Sequence, residues 1–179
     1  MKTLIIGLGN PILTDDGVGV IAARQVNVRL AGDPYTEVTE LSVGGLRLME
    51  AMIGYERVIL IDALDAGDGK IGAIHRLTLN DLEEISPTQH SASPHDASLA
   101  TAIAIGRQMG YTLPQEIIIY TVEVENTSDF GETLTPAVAR AMPDLVEWVL
   151  AEVGKSQPEV EQRYELATPV APIGSTDFD

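Results

Sequence analysis

The sequence contains no cysteine among its 179 residues. Without thiols, the chain cannot have a catalytic cysteine, a zinc–thiolate site, an iron–sulfur cluster or a disulfide. Aromatic residues make up only 4% of the chain, so a core must be built mainly from Ile, Leu, Val and Ala. Basic residues are also scarce: 11 Lys and Arg face 27 Asp and Glu, which gives a net charge of −16. Because nucleic-acid binding relies on cationic side chains, this balance argues against a nucleic-acid partner.

Long apolar runs are missing as well. No stretch approaches the roughly 18 residues that a membrane-spanning helix needs. The N-terminal stretch MKTLIIGLGNPILTDDG lacks the apolar segment and cleavage site of a signal peptide. We therefore expect a cytoplasmic protein with no membrane partner. A length of 179 residues and a hydrophobic content of 45% are typical of one globular domain.

Short apolar runs alternate along the chain with amphipathic segments of helical period. This alternation predicts an α/β fold of three layers, in which a mostly parallel sheet lies between helices. From Gly154 onward, prolines and scattered acids replace the periodic pattern. We therefore predict a single domain over residues 1–153 and a flexible tail over 154–179. The predicted strands are 3–7, 38–41, 57–62, 72–77 and 116–124, and the predicted helices are 18–30, 46–53, 93–110 and 135–153.

Acidic and imidazole side chains fall where the carboxyl ends of the strands should meet. Asp15 and Asp16 follow the first strand, Asp62 closes the central strand, and His95 lies in the first turn of a helix that Ser93 caps. In open α/β sheets the functional site lies beyond the carboxyl ends of the strands. A helix N-terminus favours the neutral imidazole that binds metals. Two carboxylates with one imidazole suit a borderline divalent metal with open coordination positions.

Each of these residues also has a purely structural interpretation. Asp15 or Asp16 could cap the helix that follows them, and Asp62 could form only a loop hydrogen bond. A single histidine near a helix start is more often a polar surface residue than a ligand. His90, in a polar segment, and His75, in a strand of alternating pattern, keep that structural interpretation.

Three motifs together resemble those of the hydrogenase maturation proteases: GLGNPILTDDGVG, VILIDALDAG and SASPHDASLATA. The similarity extends through GGLRLMEAM and LTPAVARAMPDLVEWVL, and so covers nearly all of the predicted domain. It implies an α/β fold with a twisted central sheet. It also implies an endopeptidase that removes a short C-terminal extension from the large subunit of a nickel–iron hydrogenase, once nickel has been inserted. The precursor of that subunit is the expected partner, and we expect the protease to be a monomer.

The resemblance also implies which residues bind the metal. Asp16, Asp62 and His95 stand at the family's nickel-ligand positions. The nickel is carried by the substrate, so no tightly bound metal is expected in the resting enzyme. Recognition of the substrate's own metal would restrict cleavage to finished subunits. Catalysis could come from the nickel polarising the scissile carbonyl, or from Asp16 or Asp62 activating a water, and the sequence leaves both alternatives open.

A second set of positions is assigned to substrate binding. Glu40 lies near the acidic position that precedes a glycine pair in the family, although ELSVGG departs from the commoner DGG form. We predict that Glu40, Gly44 and Gly45 contact the substrate.

Three other functions are weighed against this one. GLGNP also opens peptidyl-tRNA hydrolases, but Asp15-Asp16 replaces the His-Asn pair of those enzymes. A dinucleotide-binding loop is disfavoured because Ile12 stands in place of the third glycine. The main alternative is a non-catalytic, metal-sensing binder of the large subunit. The mass of the large subunit before and after mixing with the protein would separate that alternative from a protease.

Overall fold

The computed structural model describes residues 1–65, 69–81 and 99–155, which form a five-stranded sheet between two layers of helices. The strands are β1 (Thr3–Leu8), β2 (Thr36–Leu41), β3 (Arg57–Asp65), β4 (Ile74–Thr78) and β5 (Glu116–Val124). The helices are α1 (Val18–Arg29), α2 (Gly45–Ala51), α3 (Leu99–Gln108) and α4 (Pro136–Gly154), and a 3-10 turn covers Thr14–Gly17.

The strand order is β2-β1-β3-β5-β4. The first four strands in this order run parallel, and β4 runs antiparallel to β5 at one edge. The antiparallel direction follows from the connection 66–73 between β3 and β4, which is too short for the helical crossover that a parallel return requires. The prediction of an α/β fold with a mostly parallel sheet between helices is confirmed.

Alternate residues of β3 point to opposite faces of the sheet and so separate two apolar clusters. Ile59 and Ile61 pack on one face with side chains of α1 and α4. Val58 and Leu60 pack on the other face with side chains of α2 and α3. Asp62 continues the second series and therefore faces the α2–α3 side. The predicted three layers follow from this alternation.

Four of the five strands differ from their predicted bounds: β1 ends one residue later, at Leu8, β2 begins two residues earlier, at Thr36, and β3 and β4 differ as well. β3 does not end at Asp62 but continues to Asp65, because β5 offers pairing partners as far as Val124. β4 begins at Ile74 rather than at Gly72, because Gly72 has a φ of +83° and belongs to the preceding turn. Asp62 therefore lies inside a strand, three residues before its end.

Two predictions fall outside the described residues, at least in part. The predicted helix 93–110 is described from Leu99 to Gln108, so the proposed cap Ser93 is not covered. The last helix ends at Gly154, one residue beyond the predicted domain boundary. Residues 156–179, which contain nearly all of the predicted tail, also lie outside. Among the helices described, none is both long and apolar enough to cross a membrane.

A buried ionic network holds the end of α4 against the sheet on the side where the parallel strands begin. We call this side the N-terminal edge, and the side where the parallel strands end the C-terminal edge. Glu152 is only 2% exposed, and its carboxylate accepts hydrogen bonds from Arg57 Nη2 at 2.7 Å, Arg76 Nε at 2.9 Å and Tyr120 Oη at 2.9 Å. Burial by itself would raise the pKa of Glu152, but hydrogen bonds from Arg76, Tyr120 and Lys155 outweigh it and lower the pKa to about 2. Burial and the hydrogen bond to Glu152 raise the pKa of Tyr120 to about 12. Glu152 therefore stays ionised inside the fold.

Candidate functional site

The loop after β1 places the Asp16 carboxylate at the C-terminal edge of the sheet. Gly9 has a φ of +122°, and a Cβ at this position would lie 1.8 Å from the Asp16 carbonyl oxygen, so only glycine allows the chain to pass here. The next residue, Asn10, donates its backbone N–H to Asp16 Oδ2 at 2.6 Å. Asp16 is half-buried. Its carboxylate is therefore oriented by the backbone while it remains accessible.

The start of α1 brings Asp16 to the same edge as Asp62. Gly19 packs so closely on two strand ends that a Cβ there would lie 2.2 Å from the Ile61 carbonyl oxygen and 2.4 Å from the Leu8 carbonyl oxygen. The 3-10 turn that carries Asp16 also contacts β3. The segment that carries Asp16 therefore lies against the strand that carries Asp62, and it stays a prediction that the two carboxylates form one site.

Asp62 is buried inside β3, with 1% of its surface exposed. Its Oδ1 accepts a hydrogen bond from the backbone N–H of Ala63 at 2.8 Å. A carboxylate in the interior is unfavourable unless other groups compensate it, and strand interiors are seldom acidic. The position in a strand argues against the interpretation of Asp62 as a loop residue and favours a functional role.

Asp15, in contrast, has a structural role. Its side chain is fully buried and accepts hydrogen bonds from the backbone N–H of Thr135 at 2.7 Å and from Thr135 Oγ1 at 3.0 Å. Thr135 is the N-cap residue of α4. Asp15 therefore fixes the start of α4, not the start of α1 that directly follows it in sequence. Sequence reasoning missed this partner because the two residues are 120 positions apart.

The loop after β1 is also joined to the loop after β5. Thr14 has a φ of +44°, unusual for a side chain branched at Cβ, and two contacts hold it there. Its N–H donates to the Gly131 carbonyl at 2.8 Å, and its Oγ1 donates to the Asp129 carbonyl at 2.8 Å. In return, the Gly131 N–H donates to the Ile12 carbonyl at 3.0 Å. Hydrogen bonds in both directions therefore hold the loop that leads to Asp16 against the loop after β5.

The three residues predicted to bind substrate lie near this edge, and one of them already has a side-chain partner. Glu40 is the penultimate residue of β2. Both of its carboxylate oxygens accept hydrogen bonds from Arg24 of α1, at 2.9 and 2.8 Å. Gly44 and Gly45 follow β2 directly, and Gly45 begins α2 with a φ of +58°. Substrate binding by these three residues stays a prediction, and the ion pair shows that Glu40 has a structural partner.

The predicted third metal ligand, His95, lies outside the described residues, as does His90. The helix that follows them, α3, packs on the face of the sheet to which Asp62 belongs. Within the described part of the chain, no three histidine or carboxylate side chains gather into a group that could hold a metal. The metal site of Asp16, Asp62 and His95 therefore stays a prediction, of which the structure describes the two aspartates.

Sequence reasoning missed a row of polar side chains that adjoins Asp62. Thr121 of β5 is in register with Asp62 on one side and with His75 of β4 on the other. His75 Nε2 lies 2.9 Å from Oε1 of Glu123, two residues further along β5. The sequence does carry a signal for this row: the apolar run of β5 changes to alternating polar residues at Thr121.

Comparison with known proteins gives the family. The profile of the hydrogenase maturation protease family matches residues 20–152, well over half of the chain. This protein belongs to the hydrogenase maturation protease family. The matched region begins within α1 and ends within α4, so it includes Asp62 and the segment that contains His95.

Individual members of the hydrogenase maturation protease family agree with this assignment. The hydrogenase 2 maturation protease of Escherichia coli K12 is 27% identical over 163 residues, which cover 91% of this chain and 97% of that protein. The structure of the hydrogenase maturating endopeptidase HybD from E. coli superimposes with a TM-score of 0.72 at 25% identity, over 87% of this chain and 94% of that one. HybD from Thermococcus kodakarensis gives a TM-score of 0.65 at 25% identity, over 85% of this chain and 99% of that one. The expected family and fold are both confirmed.

Proposed function

We propose that this protein is an endopeptidase that removes the C-terminal extension from the precursor of a nickel–iron hydrogenase large subunit after nickel insertion. We further propose that it recognises the nickel carried by that precursor, and that it works as a cytoplasmic monomer. The supporting observation is that Asp16 and Asp62, from separate segments, lie at one edge of the sheet in a member of a protease family.

The chemistry of the two carboxylates suits this role. Asp16 and Asp62 offer oxygen donors and His95 offers a nitrogen donor, a combination that suits a borderline divalent ion such as nickel. Asn10 donates to one oxygen of Asp16 and so fixes the direction of its carboxylate. Nickel on the substrate would polarise the scissile carbonyl, and Asp16 or Asp62 would accept a proton from the attacking water. With so few ligands of its own, the protease alone should bind a divalent metal only modestly.

A non-catalytic binder of the large subunit is the alternative that deserves a test. It would use the same side chains to sense the metal but would leave the polypeptide intact. Membership of a family of maturation proteases favours cleavage.

The deciding experiment follows the mass of the large-subunit precursor. The nickel-loaded precursor is incubated with the wild-type protein and with Asp62→Asn, which removes one negative charge while it preserves the shape of the side chain. We expect the wild type to release a C-terminal peptide and the variant to cleave at least about 100-fold more slowly. Stable binding of an uncut precursor by the wild type would establish the non-catalytic alternative.

A further inference from the structure

The face of the sheet that carries Asp62 changes from apolar to polar at one level. Leu60 and Ile119 are buried in the cluster beneath α2 and α3, and the next residues on this face are Asp62 and Thr121. Asp62 and Thr121 are direct neighbours in register, and paired strands are only ~4.8 Å apart. Thr121 therefore adjoins the candidate site, although it belongs to a different strand.

The Thr121 hydroxyl has no evident structural purpose. Thr121 is fully buried, and its Oγ1 has no hydrogen-bond partner in the part of the chain that the structure describes. A buried hydroxyl without a partner destabilises a protein, and native structures contain few such groups. Valine has nearly the same shape and would avoid this penalty. Among the described residues, stability therefore does not explain the hydroxyl.

A second buried polar atom lies on the same face, two residues further along β5. Oε1 of Glu123 contacts His75, whereas Oε2 is buried and has no hydrogen-bond partner among the described residues. The backbone of Gly69 closes one side of this carboxylate, since a Cβ at Gly69 would lie 2.3 Å from Oε2. The Glu123 side chain as a whole is 14% exposed. Oε2 thus requires a donor from outside the described contacts.

We propose that Thr121 and Glu123 form a subsite that binds an extended segment of the substrate polypeptide beside Asp62. Thr121 donates its hydroxyl to a backbone carbonyl of the segment, and Glu123 Oε2 accepts a backbone N–H. Residues two apart on a strand are separated by ~6.6 Å, which is also the two-residue repeat of an extended peptide. One extended segment that runs along β5 can therefore reach both groups.

This inference rests on the proposed function, which supplies a polypeptide substrate. Thr121 and Asp62 are neighbours in register and are both buried, with 0% and 1% of their surfaces exposed. A substrate segment that reaches Asp62 therefore comes next to Thr121.

The test combines steady-state cleavage of the nickel-loaded precursor with thermal unfolding. Thr121→Val should keep or raise the melting temperature, because it removes a buried hydroxyl that has no partner, and it should raise KM about 10-fold, the equivalent of one lost hydrogen bond. Thr121→Ser retains the hydroxyl and should restore KM. Glu123→Gln should raise KM in the same direction. Thr3→Val, the same change in a buried threonine at the opposite edge of the sheet, should leave KM unchanged.

The possible outcomes separate this inference from the proposed function. If the wild type cuts the precursor and Thr121→Val cuts it with an unchanged KM, the subsite is disproved and the protease assignment stands. A Thr121→Val protein that melts several degrees lower would show that the hydroxyl stabilises the fold, which also overturns the inference. If the wild type does not cut at all, the proposed function fails, and the subsite fails with it.

Discussion

The two edges of the sheet treat buried polar groups in opposite ways. At the N-terminal edge, the carboxylate of Glu152 accepts hydrogen bonds from side chains of β3, β4 and β5 and is contacted by Lys155. At the C-terminal edge, Thr121 Oγ1 and Glu123 Oε2 are buried without a partner in the described part of the chain. Buried polar groups at the first edge are used to hold the fold together. At the second edge Asp15 is likewise paired, with Thr135, whereas we infer that Thr121 and Glu123 bind substrate.

This division follows from the architecture. In parallel α/β sheets the loops that follow the strands meet at the C-terminal edge, so substrate-binding groups accumulate there. The N-terminal edge is free of that demand, and its charged groups can be fully paired. The difference predicts that substitutions of Thr121 and Glu123 change activity with little effect on stability, and that substitution of Glu152 does the reverse.

The largest expected loss of activity concerns His95, the predicted nitrogen ligand. His95→Ala should abolish processing, measured as the mass of the precursor, because the substitution removes a metal ligand. Thermal unfolding of the variant should be unchanged. Asp16→Asn should have the same effect, since it replaces a charged oxygen donor by a neutral group of equal shape. His90→Ala, five residues before His95, is the matched control and should process at a nearly normal rate.

A general loss of stability would impair both histidine variants alike. Normal processing by His95→Ala together with failure of His90→Ala would show that the prediction of His95 as the metal ligand is wrong.

At the opposite edge, Glu152→Ala should cause the largest loss of stability. The substitution removes the carboxylate that pairs with buried Arg57, and breaking a buried ion pair costs about 3–5 kcal/mol. The melting temperature should fall by roughly 10 °C. Cleavage per folded molecule should be unchanged at a temperature where the variant is still folded.

The control for this substitution is Glu147→Ala on the same helix, which removes an exposed ion pair with Arg29. Exposed pairs contribute about 0–1 kcal/mol, so its melting temperature should stay near that of the wild type. Equal falls in melting temperature in both variants would show that any shortening of a side chain on α4 destabilises the fold. The buried network would then have no special role.

The Glu152 network also predicts how stability depends on pH. The pKa of Glu152 falls from its ordinary value of 4.5 to about 2 in the folded protein. A carboxyl group with a lowered pKa stabilises the folded state fully above its ordinary pKa, and this stabilisation is lost as the pH falls towards the folded value. Urea unfolding between pH 5 and about 2 should therefore show a loss of roughly 3 kcal/mol from this group. Glu152→Gln should lack this component, and an identical pH dependence in both proteins would contradict the assignment.

The smallest effect is expected from the tail. The periodic pattern of the sequence stops near Val153 and prolines follow, so truncation after Lys155 should change the melting temperature by no more than a few degrees. Retention of Lys155 keeps its contact with Glu152 at 3.3 Å. Loss of cooperative unfolding in the truncated protein would show that the segment after 155 packs as part of the domain.

Much of the fold was predictable because the central strands are covered on both faces. Such strands appear as continuous apolar runs, and the prediction for β5, 116–124, matches its bounds in the structure. The antiparallel direction of β4 and the end of β3 at Asp65 were not predicted, because both depend on pairing with β5. Strand direction and strand length are tertiary properties that a local pattern does not contain.

For the candidate site, the sequence predicted where the side chains lie in the fold. Asp16 follows β1 and Asp62 lies near the end of β3, as the polar residues that interrupt the apolar pattern indicated, and their roles stay a prediction. The different roles of Asp15 and Asp16 were not predictable, because Asp15 is defined by Thr135, far away in sequence. Thr121 was missed because a threonine in a strand is ordinary, and only the structure shows that its hydroxyl is buried beside Asp62.

The most direct test of the central claim compares nickel-loaded and nickel-free precursor as substrates of the same wild-type protein. Metal content of the protease is measured first, and cleavage is then followed by mass spectrometry. We predict substoichiometric metal in the resting protease, rapid removal of the C-terminal extension from the nickel-loaded precursor, and none from the nickel-free form. Equal cleavage of both forms, or a stoichiometric zinc ion that the protease requires for activity, would contradict recognition through the substrate's nickel.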